Sequence, residues 1–124
     1  MSKKRVSENK KENSVVEQRA REGVLSASDV EKVCVVFRIL ADPTRMKIVM
    51  GLMQGDMCVN RLLGICGGTQ SAISHQLRVL RDNKIVKAKR MGQNVEYSIA
   101  DMHVHKIVEM SIAHLYCADE FGEG

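Results

Sequence analysis

Helical periodicity is clearest in the segment Thr69-Gln70-Ser71-Ala72-Ile73-Ser74-His75-Gln76-Leu77-Arg78-Val79-Leu80. Its apolar side chains recur at helical spacing, which places them on one inward face. That face would carry Ala72, Ile73, Leu77 and Leu80. Thr69 can cap the first turn because its hydroxyl accepts a backbone N–H group. The segment therefore predicts an amphipathic helix with hydrogen-bonding side chains on its outer face.

Another helix and a glycine turn are expected just before this segment. The short helix lies near 58–64 and the turn is Cys66-Gly67-Gly68. Further upstream, Asp42 can cap a helix that starts at Pro43 and ends at Gly55, because proline suits the first helical turn. A helix, a turn and a second helix with a polar face form the helix-turn-helix layout.

Alternation replaces the helical period after residue 84. The stretches 85–90 and 95–99 alternate in polarity on either side of a glycine-containing turn, which predicts a β-hairpin, the wing. Asp101 can then cap a last helix that runs to about residue 118. The predicted fold class is mainly α with a small β-hairpin, a winged helix-turn-helix in the order α-α-α-α-β-β-α.

The N-terminal part is more polar. Ser28 is placed to cap a helix, with Glu31 three residues later completing a capping box. The predicted organisation is a disordered basic arm over 1–13, a winged helix-turn-helix dimerising domain over 14–118 with a weak helix near 14–22, and an acidic tail over 119–124. A short chain with two Tyr, two Phe and no Trp has a modest core. We expect a homodimer because such a chain often completes its core against the surface of a partner.

Composition excludes several classes of protein. There is no apolar run of eighteen residues and no apolar leader, so we expect a cytoplasmic protein without a membrane partner. The four cysteines include no Cys-x-x-Cys pair, which suits a reducing compartment and argues against a disulfide framework. No nucleophile–base pair or phosphate loop is visible, so we expect neither an enzyme nor a small-molecule substrate.

The charge distribution favours double-stranded DNA as the partner. Residues 78–90 hold six basic side chains against Asp82 alone, within a net charge of +4. At the helix start, Thr69 and Ser71 are placed to meet a phosphate. The side chains expected to contact DNA are Thr69, Gln70, Ser71, Ser74, His75, Arg78, Lys87, Lys89, Arg90 and Gln93.

Two stretches resemble the signature segments of ArsR/SmtB metalloregulators. They are Leu40-Ala41-Asp42-Pro43-Thr44-Arg45 and the segment 70–80, and the similarity covers about 28–118. The resemblance implies a homodimeric winged-helix repressor that binds an imperfect inverted-repeat operator and dissociates when its inducer binds. The family's recognition-helix role would fall on Gln70, Ser71, Ser74, His75 and Arg78.

The resemblance also implies a metal site on the last helix. Asp101-x-His103 with His114-x-x-Cys117 is similar to the zinc-sensor pattern, in which two ligands of one subunit meet two of the other. Cys117 stands where the family usually has Glu or His. A second family site, built on Cys-x-Cys, is not expected, because Met57-Cys58-Val59-Asn60 keeps one thiol and the N-terminal arm has none. Cys58 is expected to be a small core residue.

Helix geometry supports the same ligands independently. His103 and His114 lie within about 20° of one stripe but about 16 Å apart along the axis. One helix therefore cannot bring them to one ion, whereas two antiparallel copies place His103 opposite His114 and Asp101 opposite Cys117. These donors suit tetrahedral zinc, with cobalt and cadmium as alternatives. His105, about 200° away from His103, is excluded from the ligand set.

The resulting prediction is a repressor that divalent metal releases from DNA. One alternative is a repressor of the same fold that responds to a thiol oxidant acting on Cys117 or Cys34, or to another non-metal signal. The other is a metal-buffering protein for which DNA binding is incidental. For a metal-buffering protein, Arg78→Ala and Arg90→Ala would leave DNA affinity at moderate salt unchanged. For the predicted repressor, the same substitutions should lower DNA affinity because phosphate contacts are lost.

Overall fold

The computed structural model describes residues 3–24 and 26–120, and the chain divides between Val35 and Val36 into two compact units. The elements are α1 (Lys3–Gly23), α2 (Ala27–Leu40), α3 (Pro43–Gln54), β1 (Met57–Cys58), α4 (Val59–Cys66), α5 (Gln70–Asp82), β2 (Val86–Met91), β3 (Asn94–Ile99) and α6 (Met102–Glu120). In the part of the chain that the structure describes, no helix has the length and apolar content needed to cross a membrane. The predicted winged helix-turn-helix is confirmed. Helix α1, which contains the weak helix predicted near 14–22, and the short strand β1 are additional to the predicted order of elements.

Helix α1 covers most of the stretch predicted to be a disordered arm. No glycine or proline interrupts the chain between Lys3 and Glu22, where Lys, Glu, Arg and Gln predominate, and these residues favour helix. The described side chains on α1, including Val15 and Val16, are exposed. Of the predicted acidic tail, residues 121–124 lie outside the described residues.

The cap of α2 differs from the predicted one. The backbone N–H of Asp29 donates to Ser26 Oγ at 3.2 Å, and that hydroxyl donates to the Asp29 carboxylate at 3.0 Å. Ser26 with Asp29, rather than Ser28 with Glu31, therefore forms the capping pair. The prediction was wrong by two residues because each serine precedes an acid by three positions, and spacing alone does not choose between them.

The start of α3 is the one predicted. The Asp42 side chain accepts the backbone N–H of Arg45 at 3.0 Å, and Pro43 occupies the first helical position. Gly55 ends the helix. Its buried side chains are Ile48, Val49 and Leu52.

Strand β1 is not predicted by the sequence. It pairs antiparallel with β3, with Met57 opposite Tyr97 and Cys58 opposite Glu96. Two residues are too few to show the alternation on which strand prediction depends. Helix α4 follows at once, close to the predicted short helix near 58–64.

Helix α5 begins where Thr69 predicts. The Thr69 hydroxyl oxygen accepts the Ala72 N–H at 3.1 Å. Before it, Gly67 and Gly68 turn the chain with φ of +74° and +85°, a region that favours glycine. The buried side chains of α5 are Ile73, Leu77 and Leu80, as predicted. Ala72 is exposed, contrary to the prediction, because it lies in the first turn at the edge of the inward face.

Strands β2 and β3 form the predicted hairpin. Their pairing runs from Val86 opposite Ile99 to Met91 opposite Asn94. The loop is Gly92-Gln93. Its φ is +64° at Gly92 and is not positive at Gln93, which is the pattern of a type II′ turn. With β1 the sheet has the order β1-β3-β2.

An aliphatic core connects these elements with α6. Ile48, Leu62 and Leu77 have no exposed surface, and Val104 and Val108 bring α6 onto the same cluster. Among the described residues, no polar or charged side chain is fully buried. The polar groups of α5, the wing and α6 are therefore left at the surface, where they can meet ligands.

Candidate nucleic-acid interface and metal-binding helix

The outer face of α5 forms one concave surface. An open hollow of about 490 Å³ is lined by Gln70, Ser71, Ser74, His75 and Arg78. All these side chains are exposed, and none of them is acidic. The structure thus brings together the helix residues predicted to contact bases and phosphates, in a hollow whose charge suits a polyanion.

Thr69 has a structural role in addition to its predicted DNA contact. Its hydroxyl oxygen accepts the Ala72 N–H at 3.1 Å, while its backbone is extended. The hydroxyl is therefore engaged in capping. Other N–H groups of the first turn have no intrahelical partner and remain available to an anion at the start of α5.

The wing presents its predicted polar side chains to solvent. The exposed residues are Lys87, Lys89, Arg90 and Gln93. Lys87 lies opposite Ser98 across the hairpin, whereas Lys89 lies opposite Glu96. Because Lys87 has no acid opposite it, its charge is the less compensated of the two lysines.

A cleft of about 220 Å³, here called the amide cleft, lies between the start of α5 and the wing. The carboxamide side chains that line it are Asn60, Gln70, Gln93 and Asn94. The sequence pattern predicts the two glutamines as DNA contacts but does not predict the two asparagines. Their signal is weak because asparagine is ordinary both near a helix start and beside a turn. Tyr97 is half-buried in the same cleft.

The predicted metal ligands lie at the surface of α6. Asp101, His103, His114 and Cys117 are all exposed. The last three share one face with Met110, within about 60° around the helix. This outer stripe (His103, Met110, His114 and Cys117) faces away from the buried Val104 and Val108.

Asp101 caps α6, as predicted. Its Oδ1 accepts the backbone N–H groups of His103 at 2.9 Å and Val104 at 3.1 Å, and lies 3.5 Å from Nδ1 of His103. The Val104 N–H first, then the His103 groups, hold the pKa of this carboxyl below its usual range. Asp101 is thus an anion at neutral pH, the form that binds a cation, and its Oδ1 is already used for capping.

Within the described residues, no three potential metal ligands of a single chain lie together. The distance between His103 and His114 along α6 requires a second chain to complete the site, so the ligand set stays a prediction. Nδ1 of His105 lies 3.7 Å from the Glu109 carboxylate and faces away from the outer stripe.

The four thiols differ in environment. Cys34 and Cys117 are exposed, while Cys58 and Cys66 are half-buried, and all four are free. Burial raises the pKa of the Cys66 thiol, and the charge of Lys47 partly opposes this. Cys66 is therefore a poor thiolate donor at neutral pH.

Comparison with known proteins identifies the family. The model for "Bacterial regulatory protein, arsR family" matches residues 42–88, which extend from the α3 cap into β2. The "Transcriptional repressor SmtB homolog" of Synechocystis is 38% identical over 96 residues, covering 77% of this chain and 73% of that protein. The chain belongs to the arsR family.

Other arsR-family relatives have comparable similarity. The regulator NmtR of Mycobacterium tuberculosis is 37% identical and covers 73% of this chain and 75% of its own length. The "Cadmium resistance transcriptional regulatory protein CadC homolog" of Staphylococcus aureus is 38% identical, covering 64% of this chain and 66% of its own. The arsR family consists of transcriptional regulators, so the expectation that this chain is not an enzyme is confirmed.

Solved structures agree with the arsR fold. A homodimeric winged helix-turn-helix DNA-binding domain from Mycobacterium bovis matches with a TM-score of 0.68 and 27% identity, covering 82% of this chain and 93% of that one. Reduced HlyU from Vibrio cholerae matches with a TM-score of 0.65 and 27% identity, covering 73% and 94%. This arsR-family chain is a DNA-binding winged helix-turn-helix regulator.

Proposed function

We propose that this regulator is a cytoplasmic repressor that binds an inverted-repeat operator as a homodimer and is released by a divalent metal ion held between the α6 helices of its two subunits. Zinc is the expected metal, with cobalt and cadmium as alternatives. The outer stripe is the observation that carries the metal part, because it sets two imidazoles and a thiol on one exposed face of a continuous helix.

The DNA part is supported by the continuity of the two concave surfaces. Gln70 lines both the hollow on α5 and the amide cleft, so the recognition helix and the wing bound one polar surface. On the wing, Lys87 is exposed and lies opposite Ser98 rather than an acid. A duplex whose groove receives α5 would have its backbone beside the wing, where neutral amides and lysines meet phosphates.

The homodimer is supported by apolar side chains that one chain leaves in water. On the unit that begins at Val36, large exposed examples are Phe37 (55%), Met102 (62%), Met110 (66%), Leu115 (65%) and Tyr116 (69%). Exposed apolar patches of this kind mark interaction surfaces. Most of them lie on α6, so a second α6 is the simplest cover, and the Mycobacterium bovis relative is homodimeric.

Antiparallel α6 helices would make two equivalent metal sites. Met110 lies between the two histidines of the stripe, close to where the helices would cross. Each site would then combine Asp101 and His103 of one subunit with His114 and Cys117 of the other. Oδ2 of Asp101 is the oxygen that capping leaves for this purpose. The sulfur donor would favour cadmium more than an all-oxygen and nitrogen set does, and one relative is named for cadmium resistance.

Release would follow from thermodynamic linkage. The metal ion would bind more tightly to a dimer arrangement in which the α5 helices are misplaced for DNA than to the DNA-binding arrangement. Metal binding must then lower the affinity for DNA, and DNA binding must lower the affinity for metal by the same factor. A coupling of about 1–3 kcal/mol corresponds to a change in DNA affinity of about 5- to 150-fold. Because protons compete for imidazole and thiolate donors, metal response should weaken as pH falls.

The test compares two histidines of the same helix. A duplex selected by the wild-type protein from a randomised library is titrated with wild type, His103→Ala and His105→Ala, with and without zinc. Loss of the zinc response in His103→Ala and its retention in His105→Ala are expected. An equal zinc response in all three proteins would refute the metal site, and equal affinity for scrambled DNA would refute operator recognition.

A thiol-responsive repressor is the second candidate. Cys34 and Cys117 are exposed, and a relative of the same fold was solved in a form described as reduced. Under this alternative, hydrogen peroxide lowers affinity for the selected duplex in His103→Ala as in wild type. Cys34→Ser or Cys117→Ser then abolishes the effect, and zinc has none.

A further inference from the structure

Arg45 connects three helices through hydrogen bonds. Its backbone N–H donates to the Asp42 carboxylate at 3.0 Å, within the α3 cap. Its Nε donates to the carbonyl oxygen of Ile39 in the last turn of α2 at 2.8 Å. Its Nη1 donates to Oε1 of Gln76 in the middle of α5 at 3.1 Å. The planar guanidinium therefore holds the α2 end and the recognition helix in one fixed geometry.

The Gln76 end of this connection adjoins the DNA face. Gln76 is half-buried and follows His75, while Ser74 and Arg78 lie two positions away on either side. Its neighbours on the inward face, Leu77 and Leu80, are buried and apolar. Apolar contacts resist lifting of the helix but restrain its rotation and sliding less than a directional hydrogen bond does.

The other end of the connection adjoins α6. An apolar hollow of about 170 Å³ is lined by Phe37 and Leu40 of α2, Met46 of α3, and Ile107 and Val108 of α6, among others. Met46 directly follows Arg45, and Leu40 directly follows Ile39. A displacement of α6 thus bears on the backbone that carries Arg45 and on the Ile39 end of its side-chain hydrogen bonds.

We propose that Arg45 is a positioning residue that fixes the orientation of α5 through Gln76 and transmits the position of α6 to the DNA-reading face. This inference rests on the proposed metal-released repressor and adds the path by which release reaches DNA. Arginine is required because its Nε and Nη1 are separate nitrogens that reach Ile39 and Gln76 together, whereas a lysine ammonium carries all its donors on one nitrogen.

The experiment changes the Gln76 end and keeps the DNA-contacting side chains. Gln76→Met removes the acceptor at similar length, and Gln76→Glu keeps an acceptor for Arg45. Gln54→Met, at the exposed end of α3, is the matched control. Affinity for the selected duplex is measured without and with zinc, and thermal unfolding is followed in parallel.

Gln76→Met is expected to bind the selected duplex about tenfold more weakly without zinc. Its zinc-induced change in affinity should be at least about threefold smaller than in wild type. Gln76→Glu should keep the wild-type zinc ratio, because a uniform charge effect cancels in that ratio. Gln54→Met should match wild type in both measurements. A purely structural role would lower the unfolding midpoint and leave the zinc ratio of the folded protein unchanged.

A wild-type affinity and zinc ratio in Gln76→Met would overturn the inference while leaving the repressor intact. If wild type itself ignores zinc, the proposed metal control fails. The inference is then decided by the zinc-free affinities, where equality of Gln76→Met and Gln54→Met overturns it. If Gln76→Met does not fold, Arg45→Lys takes its place, with a lowered zinc-free affinity supporting the inference and a wild-type affinity overturning it.

Discussion

Substitutions at Thr69 should separate helix capping from DNA contact. The Thr69 hydroxyl accepts the Ala72 N–H at 3.1 Å, and the residue lies at the start of the recognition helix. Loss of a threonine cap costs about 1 kcal/mol. Thr69→Ala should therefore lower the free energy of unfolding by about that amount, and the unfolding midpoint by about 4 °C.

Thr69→Asp should maintain or raise the stability of the protein but lower its affinity for DNA. A carboxylate caps a helix well and interacts favourably with its N-terminal dipole, so stability should equal or exceed wild type. The same negative charge would oppose a phosphate at the helix start, lowering affinity for the selected duplex by about tenfold or more. Thr69→Ser, which keeps a capping hydroxyl, is the control and should match wild type in both assays.

The expected order is therefore crossed between two measurements. In urea or thermal unfolding the order is Asp at or above Thr, then Ala. In fluorescence anisotropy with labelled duplex it is Thr, then Ala, then Asp. If Thr69→Asp binds the duplex as tightly as wild type, no phosphate approaches the start of α5 and the placement of DNA on this face is wrong.

Further substitutions and reagents probe other parts of the molecule. Leu77→Ala, at a site without exposed surface, should lower the free energy of unfolding by about 2–5 kcal/mol, and a loss under about 1 kcal/mol in urea titration would contradict the core assignment. Lys87→Ala should reduce the slope of log affinity against log salt by about 0.9. Asn60→Ala should weaken binding without changing this slope, because an amide releases no counterion. Equal slopes for the two variants would refute the assignment of Lys87 to a phosphate. Iodoacetamide at pH 8 should label Cys66 more slowly than the exposed Cys34. The raised pKa of the Cys66 thiol leaves less of it as thiolate until the pH rises towards that pKa. Mass spectrometry that finds Cys66 labelled first would contradict this.

Local chemistry explains which elements the sequence predicts well. Caps and turns depend on one or two residues and their immediate neighbours, and the structure contains each one that the sequence predicts at Asp42 with Pro43, Thr69, Gly92 and Asp101. The exposed polar face of α5 follows from the same helical period, since a helix that packs by one side must show the other.

Other features depend on tertiary partners and escape a local interpretation. Strand β1 exists because β3 offers it an edge, and Asn60 and Asn94 become neighbours only when the wing folds against α4. The α2 cap is formed by Ser26 rather than by the predicted Ser28, because the two serines have equivalent local patterns and the sequence does not distinguish them. The predicted metal ligands form no cluster within the described part of one chain, because His103 and His114 lie far apart along α6 and need the second subunit to bring them together.

The placement of the two tyrosines has a spectroscopic consequence. The chain has no tryptophan, so its ultraviolet emission comes from Tyr97 and Tyr116 alone. Tyr97 is half-buried in the amide cleft, whereas Tyr116 is exposed on α6 immediately before Cys117. Replacing either ring by phenylalanine leaves one tyrosine, so Tyr116→Phe should report on the amide cleft alone and Tyr97→Phe on α6 alone, and occupancy of the two regions can be followed separately without a label.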